Sequence, residues 1–118
     1  MWTFTQDGFI STVQDRDDST VLIARSRDRQ SLELISTITG AEIVTSDGTD
    51  YGYRVRVTRE QFAEFLVANV YALDYPNFKN RIYETRGHEW HEAAAGVWSE
   101  MLAVTDKEAR ENRYGICR

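Results

Sequence analysis

The chain has 118 residues, 42% of them hydrophobic and 12% aromatic, and its net charge is −5. This length fits one domain with its own core, and the acidic balance excludes the basic footprint that duplex-DNA binding requires. The sequence has no apolar run of roughly 20 residues, no basic leader and no second cysteine to pair with Cys117, so we expect a cytoplasmic protein without membrane contact.

The first half of the chain predicts four β-strands and one helix. Two alternating or β-branched stretches flank a polar turn at residues 15–19, which indicates a hairpin. Asp28 is suited to cap a helix that ends at Gly40. A second polar turn, at residues 46–50, separates two further strands. The four predicted strands are residues 9–14, 20–27, 42–45 and 51–57.

The second half predicts three helices. Thr58 and Gln61 have the spacing of a capping box, and the helix that follows ends before Pro76. Asn77 is suited to cap a short helix that Gly87 terminates, and a last helix covers residues 88–104. The predicted buried stripe of the first of these helices consists of Phe62, Phe65, Leu66, Val70 and Leu73.

This order of elements predicts an α+β fold. The first six elements, ββαββα, correspond to a ferredoxin-like order in which the last strand has moved to the front. We therefore expect a four-stranded antiparallel sheet, with helices on one face and two additional C-terminal helices. Residues 1–105 are predicted to form a single domain. Residues 106–118 are predicted to be a charged tail or an extension of the last helix.

Two segments carry a resemblance to a known family. The first is Met1-Trp2-Thr3-Phe4-Thr5 with Gly8-Phe9, and the second is Asp74-Tyr75-Pro76-Asn77-Phe78-Lys79. In these segments the chain resembles a family of short uncharacterised proteins from bacteria, above all actinobacteria, and from their phages. No activity is known for that family, so the resemblance implies an architecture and a source but no mechanism.

Arginines in two predicted strands give the strongest indication of a binding surface. Arg25, Arg27, Arg54 and Arg56 alternate within strands that the predicted order places side by side, so they share one face. Guanidinium groups suit bidentate capture of phosphate or carboxylate, which suggests a nucleotide or another anionic small molecule. RNA is a further alternative, but it needs exposed stacking aromatics, and Tyr51 and Tyr53 are expected to face the core. The remaining interpretation is a solvated face whose arginines pair with acids such as Glu42 and Asp50.

A pair of histidines raises the question of a metal site. His88 and His91 lie three residues apart on the last helix, whereas a zincin-type site needs His-Glu-x-x-His. A third ligand would have to be a carboxylate or Cys117. The sequence therefore predicts neither a metal nor a cofactor, and a metal-assisted hydrolase that uses His88 and His91 is a further alternative. We also identify no catalytic residue, because no hydroxyl or thiol lies in a recognisable nucleophile motif.

Aromatic residues outnumber what a small core needs to bury. An exposed patch of them would mark a protein–protein surface, and Trp90 and Trp98 on the last helix are the candidates, with a homodimer seam as one form of it. The other interpretation is a well-packed core beneath the two additional helices, in which these rings are buried. The leading hypothesis is a non-enzymatic interaction or accessory protein, phage-encoded and acting on a host factor. The alternative is the binder of an anionic small molecule on the arginine-bearing face.

Overall fold

The computed structural model describes residues 1–113. The chain divides into two compact units, residues 1–76 and the segment from residue 77 onward. The expectation of one domain over residues 1–105 stays a prediction, and each unit is treated separately below.

The first unit is an antiparallel sheet with two helices. Its strands are β1 (Trp2–Thr5), β2 (Gly8–Gln14), β3 (Val21–Ser26), β4 (Val44–Thr45) and β5 (Tyr53–Thr58). Its helices are α1 (Glu33–Thr39), which follows a 3-10 turn at Gln30–Leu32, and α2 (Arg59–Tyr71). The sheet order is β1-β2-β3-β5-β4, and every neighbouring pair is antiparallel.

The predicted α+β class is confirmed, but the predicted number of strands is wrong, because β1 adds a fifth. β1 pairs with β2 from Trp2 opposite Ser11 to Thr5 opposite Gly8. This register leaves a two-residue loop, and Gly8 has a φ of 144°, which side chains rarely adopt. The strand is only four residues long, too short for an alternating pattern to distinguish it from a lead-in to β2.

The core lies on one face of this sheet. Ile10, Ala24 and Val55 lie on that face in adjacent strands and are fully buried. They form one cluster with side chains of the helical segments, namely Leu32, Ile35, Phe62 and Phe65. Both helices of the unit therefore pack on the same face of the sheet, and the opposite face, which we call the open face, is left without them.

Local capping signals were predicted correctly where the partner lies within one turn. Thr58 Oγ1 accepts from Gln61 N–H at 3.1 Å, and Gln61 Oε1 accepts from Thr58 N–H at 2.8 Å, which completes the capping box. Gly40 ends α1 at φ +73°. The predicted cap at Asp28 is wrong, because α1 begins only at Glu33 and the Asp28 carboxylate accepts from the Ser26 and Ser31 hydroxyls instead.

The predicted buried stripe of α2 is correct only at its beginning. Phe62 and Phe65 are buried, and Leu66 packs partly against the core. Val70 and Leu73 are exposed at 63% and 55%. Helical periodicity assigns side chains to a face, but it does not determine how far the opposing sheet extends beneath that face.

The second unit contains α3 (Phe78–Arg86) and α4 (His88–Arg113). The Asn77 side chain caps α3 by accepting from Asn80 N–H at 3.0 Å, and Gly87, at φ +92°, separates the two helices. The predicted C-terminal helices are thus present. α4 continues beyond residue 104 to residue 113, through the start of the charged tail. None of the helices in residues 1–113 combines the length and apolarity needed to span a membrane.

Candidate functional site

The strand register places the predicted arginines in rows across the open face. Trp2, Ser11, Arg25, Arg54 and Val44 are consecutive cross-strand partners from β1 to β4. Directly opposed residues of antiparallel strands share a face, so these five side chains form one row. Val13, Ile23 and Arg56 form a second row beside it. The arginine-bearing face therefore has the neighbours that the sequence predicted.

Two of the four arginines are neutralised by acids. Arg27 donates to both carboxylate oxygens of Asp50, at 3.0 and 2.8 Å. This bond is the main cause of a raised pKa at Arg27. Arg56 Nη1 lies 2.8 Å from Asp15 Oδ1. Asp50 was among the partners expected from the sequence, whereas Asp15 is a new one.

The turn that contains Asp15 is itself held by hydrogen bonds. Asp15 Oδ2 accepts from the backbone N–H groups of Asp17 and Asp18. The hydrogen bond from Arg56 is the largest cause of a lowered pKa at Asp15, and the bond from Asp17 N–H adds to it. Asp18 also has a lowered pKa, chiefly because the Thr20 hydroxyl donates to it. These groups hold Arg56 in place rather than leave it available.

The other two arginines, Arg25 and Arg54, lie directly opposite each other in β3 and β5. We call them the arginine pair. Within residues 1–113 neither of them forms a salt bridge with a carboxylate. Arg25 Nη2 donates to Ser11 Oγ at 2.8 Å, whereas the buried Nε of Arg54 finds no acceptor among the described residues. Like charges that oppose each other directly are unfavourable, and so is a buried donor without an acceptor. An anion bound between the two guanidinium groups would therefore stabilise the folded protein.

Tyr51 lies beside the arginine pair and not in the core, which corrects one prediction. The centroid of its ring is 4.7 Å from Arg25 Cζ and 4.5 Å from Arg27 Cζ, within the range of cation–π contact. β5 begins at Tyr53, so strand alternation does not extend back to Tyr51. Tyr53, which is in the strand, packs against the core as predicted.

Three aromatic residues at one end of the open face were not recognised as part of the site. Phe9 contacts Trp2 and Phe4 edge-to-face, with ring centroids 5.6 and 5.8 Å apart. We call this group the aromatic corner. Trp2 is 75% exposed and lies in the same cross-strand row as the arginine pair. The sequence analysis did not predict β1, and only the pairing of β1 with β2 places Trp2 and Phe4 beside Phe9.

α4 carries the second candidate surface. Val97, Trp98, Met101, Leu102 and Val104 are each between 43% and 56% exposed, and their spacing places them on one side of the helix. We call them the α4 stripe. Ala94, on the same side one turn earlier, is buried. This side of α4 is therefore packed at Ala94 and exposed from Val97 onward.

The length of α3 explains why the stripe is exposed within the second unit. α3 has 9 residues and α4 has 26, which at 1.5 Å per residue gives about 14 and 39 Å. The Lys79 ammonium near the beginning of α3 lies 4.8 Å from the Trp98 ring. α3 therefore ends its contact with α4 near Trp98 and leaves the remaining turns of the stripe uncovered by α3.

The two tryptophans predicted on this helix have different surroundings. Trp98 is 56% exposed and belongs to the stripe. Trp90 is half-buried, and Arg86 Cζ lies 4.1 Å from the centre of its ring. Trp98 is therefore the better anchor for a partner.

The histidines of α4 do not assemble a metal centre. His88 Nε2 lies 3.8 Å from Glu92 Oε1, and the His91 ring contacts Tyr83 edge-to-face. Within residues 1–113, no three His, Cys, Asp or Glu side chains lie close enough to hold a metal ion. Cys117, the alternative third ligand, lies outside the described residues. This geometry offers no support for the metal-assisted hydrolase.

Comparison with known proteins gives no further guidance. The chain matches no family model, no curated protein and no solved structure. The two surfaces described above are therefore the basis for assigning a function.

Proposed function

We propose that this protein is a non-enzymatic interaction factor that binds a protein partner through the α4 stripe. The partner is a second copy of the chain or, if the chain is a phage accessory factor, a host protein. The observation that carries the proposal is the run of five large apolar side chains, all exposed on one side of α4.

Physical chemistry supports this assignment. Isolated exposed apolar residues are common, but a contiguous patch on a soluble protein marks an interaction surface. Trp98 and Met101 belong to residue types enriched at interfaces.

Sedimentation velocity over a range of protein concentrations tests the self-association form of the proposal. The Met101→Glu variant places a charge in the centre of the stripe and should weaken association at least tenfold. Ala103→Glu is the matched control, because Ala103 is exposed on the opposite side of α4 and Glu is a good helix former.

A pull-down with the same two variants tests the host-protein form. A partner that binds the wild type and Ala103→Glu, but not Met101→Glu, would support it. If both variants keep the wild-type oligomeric state and every partner, the α4 stripe is not the interface and the proposal is wrong.

A second candidate function rests on the arginine pair. We propose that the open face binds a nucleotide or another anionic small molecule, whose negative charge would lie between Arg25 and Arg54. The supporting observations are the direct opposition of these residues and the unsatisfied Nε of Arg54. An anion bound between the two guanidinium groups would relieve their repulsion.

Thermal unfolding with inorganic phosphate or a nucleoside triphosphate tests this second function. A ligand that binds only the folded state raises the melting temperature as its concentration increases. The rise should disappear in Arg54→Gln and persist in Arg29→Gln, which removes an exposed arginine outside the strands. If saturating phosphate or nucleoside triphosphate leaves the melting temperature of the wild type unchanged, the small-molecule function is excluded.

A further inference from the structure

From the open face we infer a more specific ligand class, a single-stranded nucleic acid segment of about two to three nucleotides. This inference rests on the second proposed function, because it uses the arginine pair as a phosphate site. It adds the aromatic corner, which an inorganic anion would not need. Trp2 of this corner lies in one continuous row of side chains with the arginine pair.

The row offers an aromatic ring for stacking and, two and three strands away, two cationic groups. Trp2 is 75% exposed at one end, and Arg25 and Arg54 follow two and three strands away. Adjacent strands are about 4.8 Å apart, so Trp2 and Arg54 are separated by about 14 Å. In RRM-type RNA-binding modules, aromatic side chains on an open antiparallel sheet stack two or three bases of a single strand.

A small side chain separates Trp2 from the arginine pair in this row. Ser11 lies between Trp2 and Arg25 in the row and is 2% exposed. Its short side chain is already engaged, because its hydroxyl accepts from Arg25. The Arg25 guanidinium group therefore reaches across to β2, so a phosphate bound to it would lie close to a base stacked on Trp2.

The number of aromatic rings on the open face favours a nucleic acid strand over a single nucleotide. Arg56 lies two residues beyond Arg54 on the same face of β5, but Asp15 holds its guanidinium group, so only the arginine pair is offered to a phosphate. Phe9 contacts the Trp2 ring, and Tyr51 lies against Arg25, so the face carries more than one aromatic ring. Several rings beside one cationic pair suit successive stacked bases better than they suit a single nucleotide.

The rival occupant is an acidic peptide, which would satisfy the arginines equally well. It has no flat ring at each repeat and would leave the exposed Trp2 unused. Base stacking uses both the ring and the charge, so nucleic acid is the better match. Duplex DNA does not fit, because its bases are already stacked on one another and cannot reach a flat sheet face.

Fluorescence anisotropy with labelled RNA and DNA decamers of the same mixed sequence tests the inference. Trp2→Ala should weaken decamer binding roughly 5- to 100-fold, the usual loss when a stacking ring is removed, and Trp2→Phe should retain most of it. Arg54→Gln should also weaken binding and reduce the slope of log K against log salt by about 0.7. Arg29→Gln is the charge-matched control and should bind as the wild type does.

Tryptophan fluorescence gives an independent measure of stacking. The chain contains three tryptophans, so Trp90→Phe with Trp98→Phe leaves Trp2 as the only source of tryptophan emission under excitation selective for indole. The decamer should quench this emission in the double variant. Unchanged emission at saturating decamer would overturn the inference, because no base would then lie on Trp2.

The remaining outcomes separate this inference from the function on which it rests. Binding of the RNA, the DNA or both decamers, with loss in the two site variants, supports the inference and identifies the sugar. If a mononucleotide or inorganic phosphate binds as tightly as the decamer, the anion site stands and the inference fails. Equal binding of duplex DNA or of an oligoglutamate peptide also overturns it. If no anion of any kind binds, both the inference and the second proposed function fail.

Discussion

The open face and the α4 stripe are both exposed, but they expose opposite kinds of chemistry. The open face combines two neutralised arginines with a pair that has no carboxylate partner among the described residues. The α4 stripe exposes five apolar side chains and no charge. The first surface suits an anion, since burial of an unpaired charge is costly. The second suits a protein, since only another apolar surface gains by covering it.

The comparison also shows that exposure arises in two ways. The open face is exposed because both helices of the first unit pack on the other side of the sheet. The α4 stripe is exposed within its unit because α3 is roughly a third of the length of α4. In both places the side chains are ordered by regular secondary structure, which gives a binding surface a fixed geometry before any partner arrives.

The largest expected effect distinguishes exposed surface from core. Phe65→Ala should lower the free energy of unfolding by about 3–5 kcal/mol, because Phe65 is 1% exposed within the core cluster. Trp98→Ala should change it by less than about 1 kcal/mol, because that ring is largely exposed. Denaturant unfolding of both variants measures the difference. Equal losses would show that the α4 stripe is a packed core surface and not an available one.

A smaller effect of opposite sign is expected at the arginine pair. Arg54→Gln should raise the free energy of unfolding by about 0.5 kcal/mol, because it removes an opposed like charge and an unsatisfied buried donor. Arg56→Gln should instead leave stability unchanged or slightly lower, because it breaks the contact with Asp15. Thermal unfolding without added anions compares the two. A loss of stability in Arg54→Gln would show that the pair is satisfied within the protein.

The smallest effect is the response to acid at the turn beside the open face. Hydrogen bonds lower the pKa of Asp15 below its ordinary value of 3.8. Its carboxylate therefore contributes stability above that value, and the contribution is lost as the pH falls through the lowered pKa of the folded state. Between pH 5 and pH 2 the wild type should lose slightly more stability than Asp15→Asn. Parallel stability–pH curves for the two proteins would contradict this role for Asp15.

The candidate site was only partly predictable from the sequence. Alternation placed the four arginines on one face, because side-chain direction in a strand follows from neighbouring residues alone. Which arginine faces which acid depends on register between strands, so Asp15 was not identified as the partner of Arg56. The aromatic corner was missed because its strand is short, and Tyr51 was misplaced because β5 begins two residues later than predicted.

The sequence by itself determined the class of the fold, the capping box at Thr58, the cap at Asn77 and the helix end at Gly40. These are local features, fixed by hydrogen bonds and backbone preferences within about one turn of the chain. Only the tertiary structure decided that Trp2 shares a row with Arg25 and Arg54, and that α4 extends past α3. Both depend on pairing and packing between segments distant in sequence, where the net free energy of many contacts selects one arrangement among several that local signals allow.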